Sequence, residues 1–348
     1  MNLKPTLNHL GLALTALSIG LLSCVGALAA DDSAEKEATA PVFAQVGKEI
    51  ITQRQFDAAY AAASRNRFYH GKPPDAEVAA LQREIGDKLI NDVLLLKEAK
   101  RLKLKPDPEE VKKKLDQIDE RNAGKAQWQR IRERALPVLT GQIEDENLIK
   151  QLEQRTRKVP APSEKQLRAY YTAYPEKFTE PEQIRISIIL LGVDPGAPDF
   201  DAKYKLGEDL VKKLREGADF AEMVTKYSTD AETVGQGGDM GYLHGGMLSE
   251  LSEQVASKLK PGEISDPVRL MEGIGIYKLT DRKEAKLNSF DAVKERAAAL
   301  YTTDEGEKAW KSLIAKLRKK TSIKADVSGR YLPLPGPSTA DEKNPATK

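Results

Sequence analysis

Side chains able to act as a nucleophile, thiolate ligand or general base near neutral pH are scarce in this chain. It has three histidines, His9, His70 and His244, and one cysteine, Cys24. His9 and Cys24 lie in the N-terminal segment, His70 in a helical stretch and His244 in a glycine-rich loop. The run Gly235-Gln236-Gly237-Gly238 could cradle a phosphate, but Asp239-Met240 follows it in place of Gly-Lys-Ser/Thr, and no complete G-x-G-x-x-G occurs. No cofactor is therefore called for. With 55 Lys+Arg against 53 Asp+Glu, the chain lacks the basic surplus of a nucleic-acid binder. Its local charge runs, Lys112-Lys113-Lys114 and Arg155 to Lys158, read as solvated helical faces.

The N-terminus points outward. Lys4 precedes an apolar stretch, Leu10 to Val25, that ends in Ala27-Leu28-Ala29-Ala30, which predicts a signal peptide over residues 1–30. The stretch is shorter than the roughly 20 apolar residues of a membrane span. Leu21-Leu22-Ser23-Cys24 offers a competing lipobox, in which Cys24 carries a lipid and becomes the new N-terminus. Cleavage after Ala30 discards that thiol and with it disulfides, zinc thiolates and thiol nucleophiles. Both readings export the chain, to the periplasm or, as a lipoprotein, to the outer membrane, and the sequence leaves the choice open. Contact with a membrane is expected only through a lipid at Cys24.

At 348 residues, more than one core is expected. Residues 31–41 are polar and aperiodic, a flexible leader, and the proline-rich segment 331–348 reads as a disordered tail. Between them, Val42 to Gly47 predicts a short strand and turn, and Thr52 a helix N-cap. Ile85, Leu89, Val93 and Leu96 form an amphipathic stripe. Helices over 109–121 and 127–158 carry few apolar positions, so they need a further partner. The long helix from Ser289 to about Lys320 supplies one, which predicts a helical domain built from 42–160 plus 285–328.

Pro160-Ala161-Pro162 marks a boundary, and Ser163 to Gln166 a capping box. Ile184, Ile186, Ile188 and Leu190 then alternate with Arg185, Ser187, Ile189 and Leu191, the period of a buried strand. Two helices, the glycine-rich segment, a third helix and two short strands complete an α+β domain over 163–284, with its core at 182–284.

Four ordered words in this region, GADFAEMVTKYSTD (217–230), GGDMGYL (237–243), LKPGEISDPV (259–268) and YKLTDR (277–282), resemble parvulin-type peptidyl-prolyl cis-trans isomerases. The flanking helices and signal resemble the exported chaperones of the SurA and PrsA kind, and in architecture the EpsD-like proteins of exopolysaccharide export. The resemblance implies a parvulin-like domain, a four-stranded antiparallel sheet with helices around it, inserted in a helical chaperone domain. It also implies a groove that accepts proline and rotation about an X-Pro amide. That barrier is about 18–20 kcal/mol. No bond breaks, so catalysis means holding the ring in an apolar slot and favouring the twisted amide.

The resemblance places Asp230 at a catalytic position and Met247 and Leu251 in the substrate slot, Leu251 standing where a phenylalanine is usual. Asp230 would serve equally as a loop cap, and Met247 and Leu251 as core. Parvulins usually carry one histidine in the first strand and another in the last. Here Ile188 and Gly275 stand in their places. The two changes are expected to offset one another in volume and turn a polar site into apolar core. The expected function is that of an exported foldase with weak turnover, acting on unfolded or extended polypeptides that contain X-Pro. The alternative is a non-catalytic periplasmic chaperone or assembly factor of an envelope or exopolysaccharide secretion system. Oligomeric state is not legible.

Overall fold

A computed structural model describes residues 41–68, 73–196 and 199–325. The expected signal peptide, nearly all of the leader, His9, Cys24, His70 and the expected tail lie outside the described residues. Contacts divide the chain into two units, Met1–Pro160 with Thr302–Lys348, and Ala161–Tyr301.

In the first unit β1 (Val42–Val46) and β2 (Glu49–Thr52) form a hairpin, and β9 (Ile323–Ala325) pairs antiparallel with β1, giving the order β2-β1-β9. Thr52 ends the hairpin and starts α1 (Gln53–Arg67) through a capping box with Gln55. Helix α2 (Asp75–Arg101) buries Leu81, Ile85, Ile90 and Leu94 against Phe43 and Phe56, whose rings stack at 4.2 Å. Asp107 caps α3 (Pro108–Asn122), with proline at the first turn, where its missing N–H costs nothing. The following α4 (Ala126–Arg157) pairs with α3 through Asp119, which accepts from Arg132 and from the Trp128 indole at 2.8 Å.

The C-terminal part of α9 (Phe290–Lys320) packs against α2 and α4. Trp310, Leu313 and Leu317 pack with Leu95, Ala99, Leu148 and Leu152. Arg318 donates to Asp87 at 2.6 Å and to Asn91 at 2.7 Å, and Arg157 pairs with Glu307. Within the described residues no helix is long and apolar enough to cross a membrane.

The expectation that all of 285–328 belongs with the helical segments needs correction, because residues up to Tyr301 fall in the second unit. Aromatic packing is the cause. Tyr170 and Phe178 enclose Ala297, with Tyr171, Val293, Leu300 and Tyr301 around them. Tyr170 and Tyr171 lie on α5 (Glu164–Ala173), which Ser163 and Gln166 cap reciprocally, and Gln166 also donates to the Tyr301 hydroxyl at 2.9 Å. A two-residue ladder, β3 (Thr179–Glu180) with β8 (Lys286–Leu287), closes the same end.

The second unit is built on β4 (Gln183–Gly192), β5 (Asp239–His244), β6 (Val268–Arg269) and β7 (Gly273–Lys283), all antiparallel, in the order β5-β4-β7-β6. Alternation along β4 sends its residues to two cores. Ile189 and Leu191 meet Ile274 and Ile276 beneath α6 (Phe200–Arg215) and α7 (Phe220–Tyr227). Ile186 and Ile188 meet Tyr277 and Leu279 on the other face, with Leu248 and Val255 from the region of α8 (Glu250–Ala256).

Candidate functional site

The sheet face under α8 holds Ile188 and Gly275, the two positions where the resemblance leads one to expect histidines. On β4, Ile188 is paired with Tyr277 and Leu190 with Gly275. Ile188 and Gly275 are thus not cross-strand partners, and Ile188 does not fill the space left at Gly275. A β-carbon built at Gly275 would lie 2.8 Å from Leu270 Cδ1 and 3.4 Å from the Tyr277 hydroxyl oxygen. Leu270, from the turn between β6 and β7, and the Tyr277 ring occupy that place. The expected mutual compensation of the two changes is thus not what the structure holds: the space beside Gly275 is filled by residues two and five positions away along the chain.

Tyr277 is only 2% exposed, and burial raises its phenol above the ordinary value against the opposing bond from Ser252. Its hydroxyl shares a hydrogen bond of 2.8 Å with Ser252 Oγ, which shares another of 2.7 Å with Ser249 Oγ. Its backbone N–H donates to Ser265 Oγ at 2.9 Å, and its carbonyl accepts from Ser265 N–H at 2.8 Å. The alternation of Gly275 and Tyr277 on one strand was a visible signal for this ring, but Ser252 looked like any helical serine.

Helix α8 is short and firmly tied. Ser249 caps its start, accepting from the Ser252 N–H at 3.2 Å. Arg282 Nη2 donates to the carbonyls of Ala256, Ser257 and Leu259 at 3.3, 3.3 and 3.0 Å, satisfying its open C-terminal end, and Nη1 pairs with Glu182. Ahead of α8, the Met247 N–H donates to the His244 carbonyl at 3.2 Å, closing a turn in which Gly246 takes a φ of 90°. That turn and the first turn of α8 present Met247 and Leu251, which are 53% and 45% exposed. Neither belongs to the core, so the packing alternative fails for both. The sheet face that this turn and helix cover is lined by Ile188, Leu190, Leu243, Leu248 and Leu270.

Asp230 lies in the loop after α7. Its Oδ1 accepts from the Glu232 N–H at 3.2 Å and its Oδ2 from the Thr233 hydroxyl at 2.6 Å, so both oxygens are engaged within the loop. The same loop completes the edge of β4 beyond β5. Leu190 N–H donates to Ser228 Oγ at 3.1 Å, its carbonyl accepts from Thr229 N–H at 2.8 Å, and Ile188 N–H donates to the Gly238 carbonyl at 2.9 Å. Gly238 must be glycine: its φ is 83°, and a β-carbon would lie 2.5 Å from the Ile188 carbonyl oxygen. His244 is exposed and its Nδ1 lies 2.9 Å from the Gly245 carbonyl oxygen. Among the described residues, no group of three or more His, Cys, Asp and Glu is arranged to hold a metal ion.

Two exposed apolar side chains, Met247 and Leu251, thus stand on the turn and short helix that cover an apolar sheet face. A family model for the PPIC-type PPIase domain matches residues 189–281, and one for the SurA-like N-terminal domain matches residues 8–133. The foldase protein PrsA of Caldanaerobacter subterraneus is 28% identical over 327 residues, 90% of this chain and 94% of that protein. A PrsA of Geobacillus kaustophilus is 35% identical over 136 residues, 39% of this chain and 42% of that protein, so here the chain spans under half of its relative. The chaperone SurA of Aliivibrio fischeri is 28% identical over 315 residues, 86% of this chain and 71% of that protein. Among solved structures, PrsA of Bacillus anthracis aligns with 67% of this chain and 95% of its own at 23% identity and a TM-score of 0.29, too low to bear on the fold. The chain combines a PPIC-type parvulin domain with a SurA-like N-terminal domain, and its relatives are the PrsA and SurA foldase chaperones.

Proposed function

We propose that this chain is an exported foldase that seats X-Pro segments of unfolded polypeptides in the trough under α8, with Met247 and Leu251 gripping the proline ring, and that its turnover is weak. The relatives are named foldase and chaperone, and one is named a periplasmic chaperone. The observation that carries the reading is the exposure of Met247 and Leu251 above an otherwise closed apolar floor. Large apolar side chains held at the surface by a glycine turn and a capped helix fit a ligand that is itself apolar and small, as a proline ring is.

Weak turnover follows from what lines the trough. Rotation about an X-Pro bond needs no proton transfer, so an apolar slot can still favour the twisted amide by desolvation. With Ile188 and Gly275 in the two positions where a parvulin usually has histidines, the floor offers little polar help to that amide. Asp230 enters as the remaining candidate catalytic group, through the loop that borders β4. The same lack of polar groups favours the second reading, a chaperone that holds extended chains without isomerising them.

Exchange NMR on a peptide with a single X-Pro bond, with and without the full chain, tests the proposal. Resonances near proline should shift on binding, and the cis/trans exchange rate should rise modestly. Met247→Ala and Leu251→Ala should each reduce both effects. Unchanged exchange together with suppressed aggregation of an unfolded client would leave only the chaperone reading. Absence of any binding at the trough would remove both.

A further inference from the structure

We infer that Tyr277 and Ser252 are positioning residues of the proline slot, their hydroxyl bridge from β7 to α8 setting where Leu251 stands. The inference rests on the trough being the place where X-Pro segments bind.

Three observations lead to it. First, α8 is under two turns long, and its far end is fixed by Arg282, whose guanidinium serves three carbonyls. A helix pinned at one end can still roll about its axis. Second, Ser252 is the buried polar side chain on the inner side of α8, and it is bonded to the hydroxyl of Tyr277 at the floor. Ser252 follows Leu251 directly, so the roll that keeps the serine on Tyr277 also fixes the leucine at the rim, about 100° round the helix. Third, the Tyr277 ring itself is held. Its backbone exchanges two bonds with Ser265, and its edge fills the space beside Gly275. The reference point for α8 is therefore a rigid one.

The chain of oxygens continues from Tyr277 through Ser252 to the N-cap Ser249, so one line of hydroxyl groups ties floor, helix face and helix start together. A binding wall displaced by more than about 0.5 Å loses much of its fit to a small rigid ligand. The bridge thus governs affinity for proline-containing chains without touching them, in a trough that lacks the usual histidines.

The test is a double-mutant cycle on the full chain, read by fluorescence anisotropy of a dye-labelled decapeptide with one Leu-Pro bond, well below every variant's melting temperature. Tyr277→Phe keeps the ring and removes the hydroxyl, and is expected to weaken peptide binding roughly 2- to 10-fold, the range of one lost hydrogen bond. Leu251→Ala should weaken it as well. The double variant should bind no more weakly than Leu251→Ala alone, while its melting temperature stays lowered by the Tyr277 change. Ser252→Ala breaks the same bond from the helix side and replaces Tyr277→Phe should that variant fail to fold, whereas Ser252→Thr, which keeps a hydroxyl, should retain most of the affinity. A Tyr277→Phe protein that melts earlier but binds the peptide normally overturns the inference, as do additive losses in the double variant. If Leu251→Ala itself binds normally, the slot assignment falls first, and the two failures are told apart.

Discussion

The two faces of the β5-β4-β7-β6 sheet use alternate residues of the same strands for opposite ends. On one face Ile189, Leu191, Ile274 and Ile276 disappear beneath two helices, and the partners they meet, Leu210, Leu214, Phe220 and Val224, are all buried. On the other, Ile186, Ile188 and Tyr277 are covered by a shorter helix and a turn that leave Met247 and Leu251 in solvent. Identical alternation buries the strand residues on both faces, and the faces differ in that the shorter cover leaves large apolar side chains of its own exposed. The difference between the two faces lies in the length of the cover rather than in the chemistry of the strand.

That contrast can be broken most forcefully at Ile189, which is fully buried on the closed face. Ile189→Ala should cost about 2–5 kcal/mol in urea unfolding, with peptide affinity unchanged wherever the protein is still folded. A binding defect in the folded variant would mean the two faces are not separable. Met247→Ala and Leu251→Ala on the open face should behave in the opposite way. Each is expected to weaken an X-Pro peptide about tenfold, while thermal unfolding places stability within about 0.5 kcal/mol of the parent.

Titration offers a finer comparison. The Tyr277 phenol titrates above its unfolded value of about 10 because it is buried. Its contribution to stability is therefore complete below that unfolded value and is lost as pH rises through the higher folded one. Melting temperatures followed upward from pH 9 should fall less steeply in Tyr277→Phe than in the parent. Equal slopes would show that the open-face phenol is not the group responsible. The smallest effect belongs to Gly275→Ala. The methyl meets the end of the flexible Leu270 side chain rather than backbone, so calorimetry should find a change under about 1 kcal/mol. A larger loss would mean that Leu270 is wedged, and the open face is packed more tightly than its cover suggests.

Features decided by neighbours in sequence were the legible ones. The alternation of Ile184 to Leu191 named a strand and both its faces, and the capping boxes at Thr52 and Ser163 depend on residues three apart. The four ordered words between Gly217 and Arg282 pointed to the PPIC-type domain as a whole. Features set by register were hidden. A bulge between Arg185 and Ile186 in the pairing of β4 with β7 decides that Gly275 faces Leu190 and that Tyr277 faces Ile188. No local pattern announces that bulge, so the occupant of the space beside Gly275 was assigned to the wrong strand. Likewise the apolar positions Val293 and Leu300 predicted a buried helix face without saying that Tyr170 and Phe178 would cover it.

The pairing of β1 with β9 sets an order of events during synthesis. Val46 is matched to Ile323, so the first described strand waits for the last, across nearly the whole described chain. The loop to be closed is long, and such long-range closure is slow compared with contacts inside the middle segment. Ala161–Tyr301 holds all four strands of its sheet and can assemble while the termini are still apart. A nascent chain halted before Ile323 would thus leave the β9 side of β1 unpaired after the Ala161–Tyr301 unit is complete, an open strand edge of the kind chaperones guard.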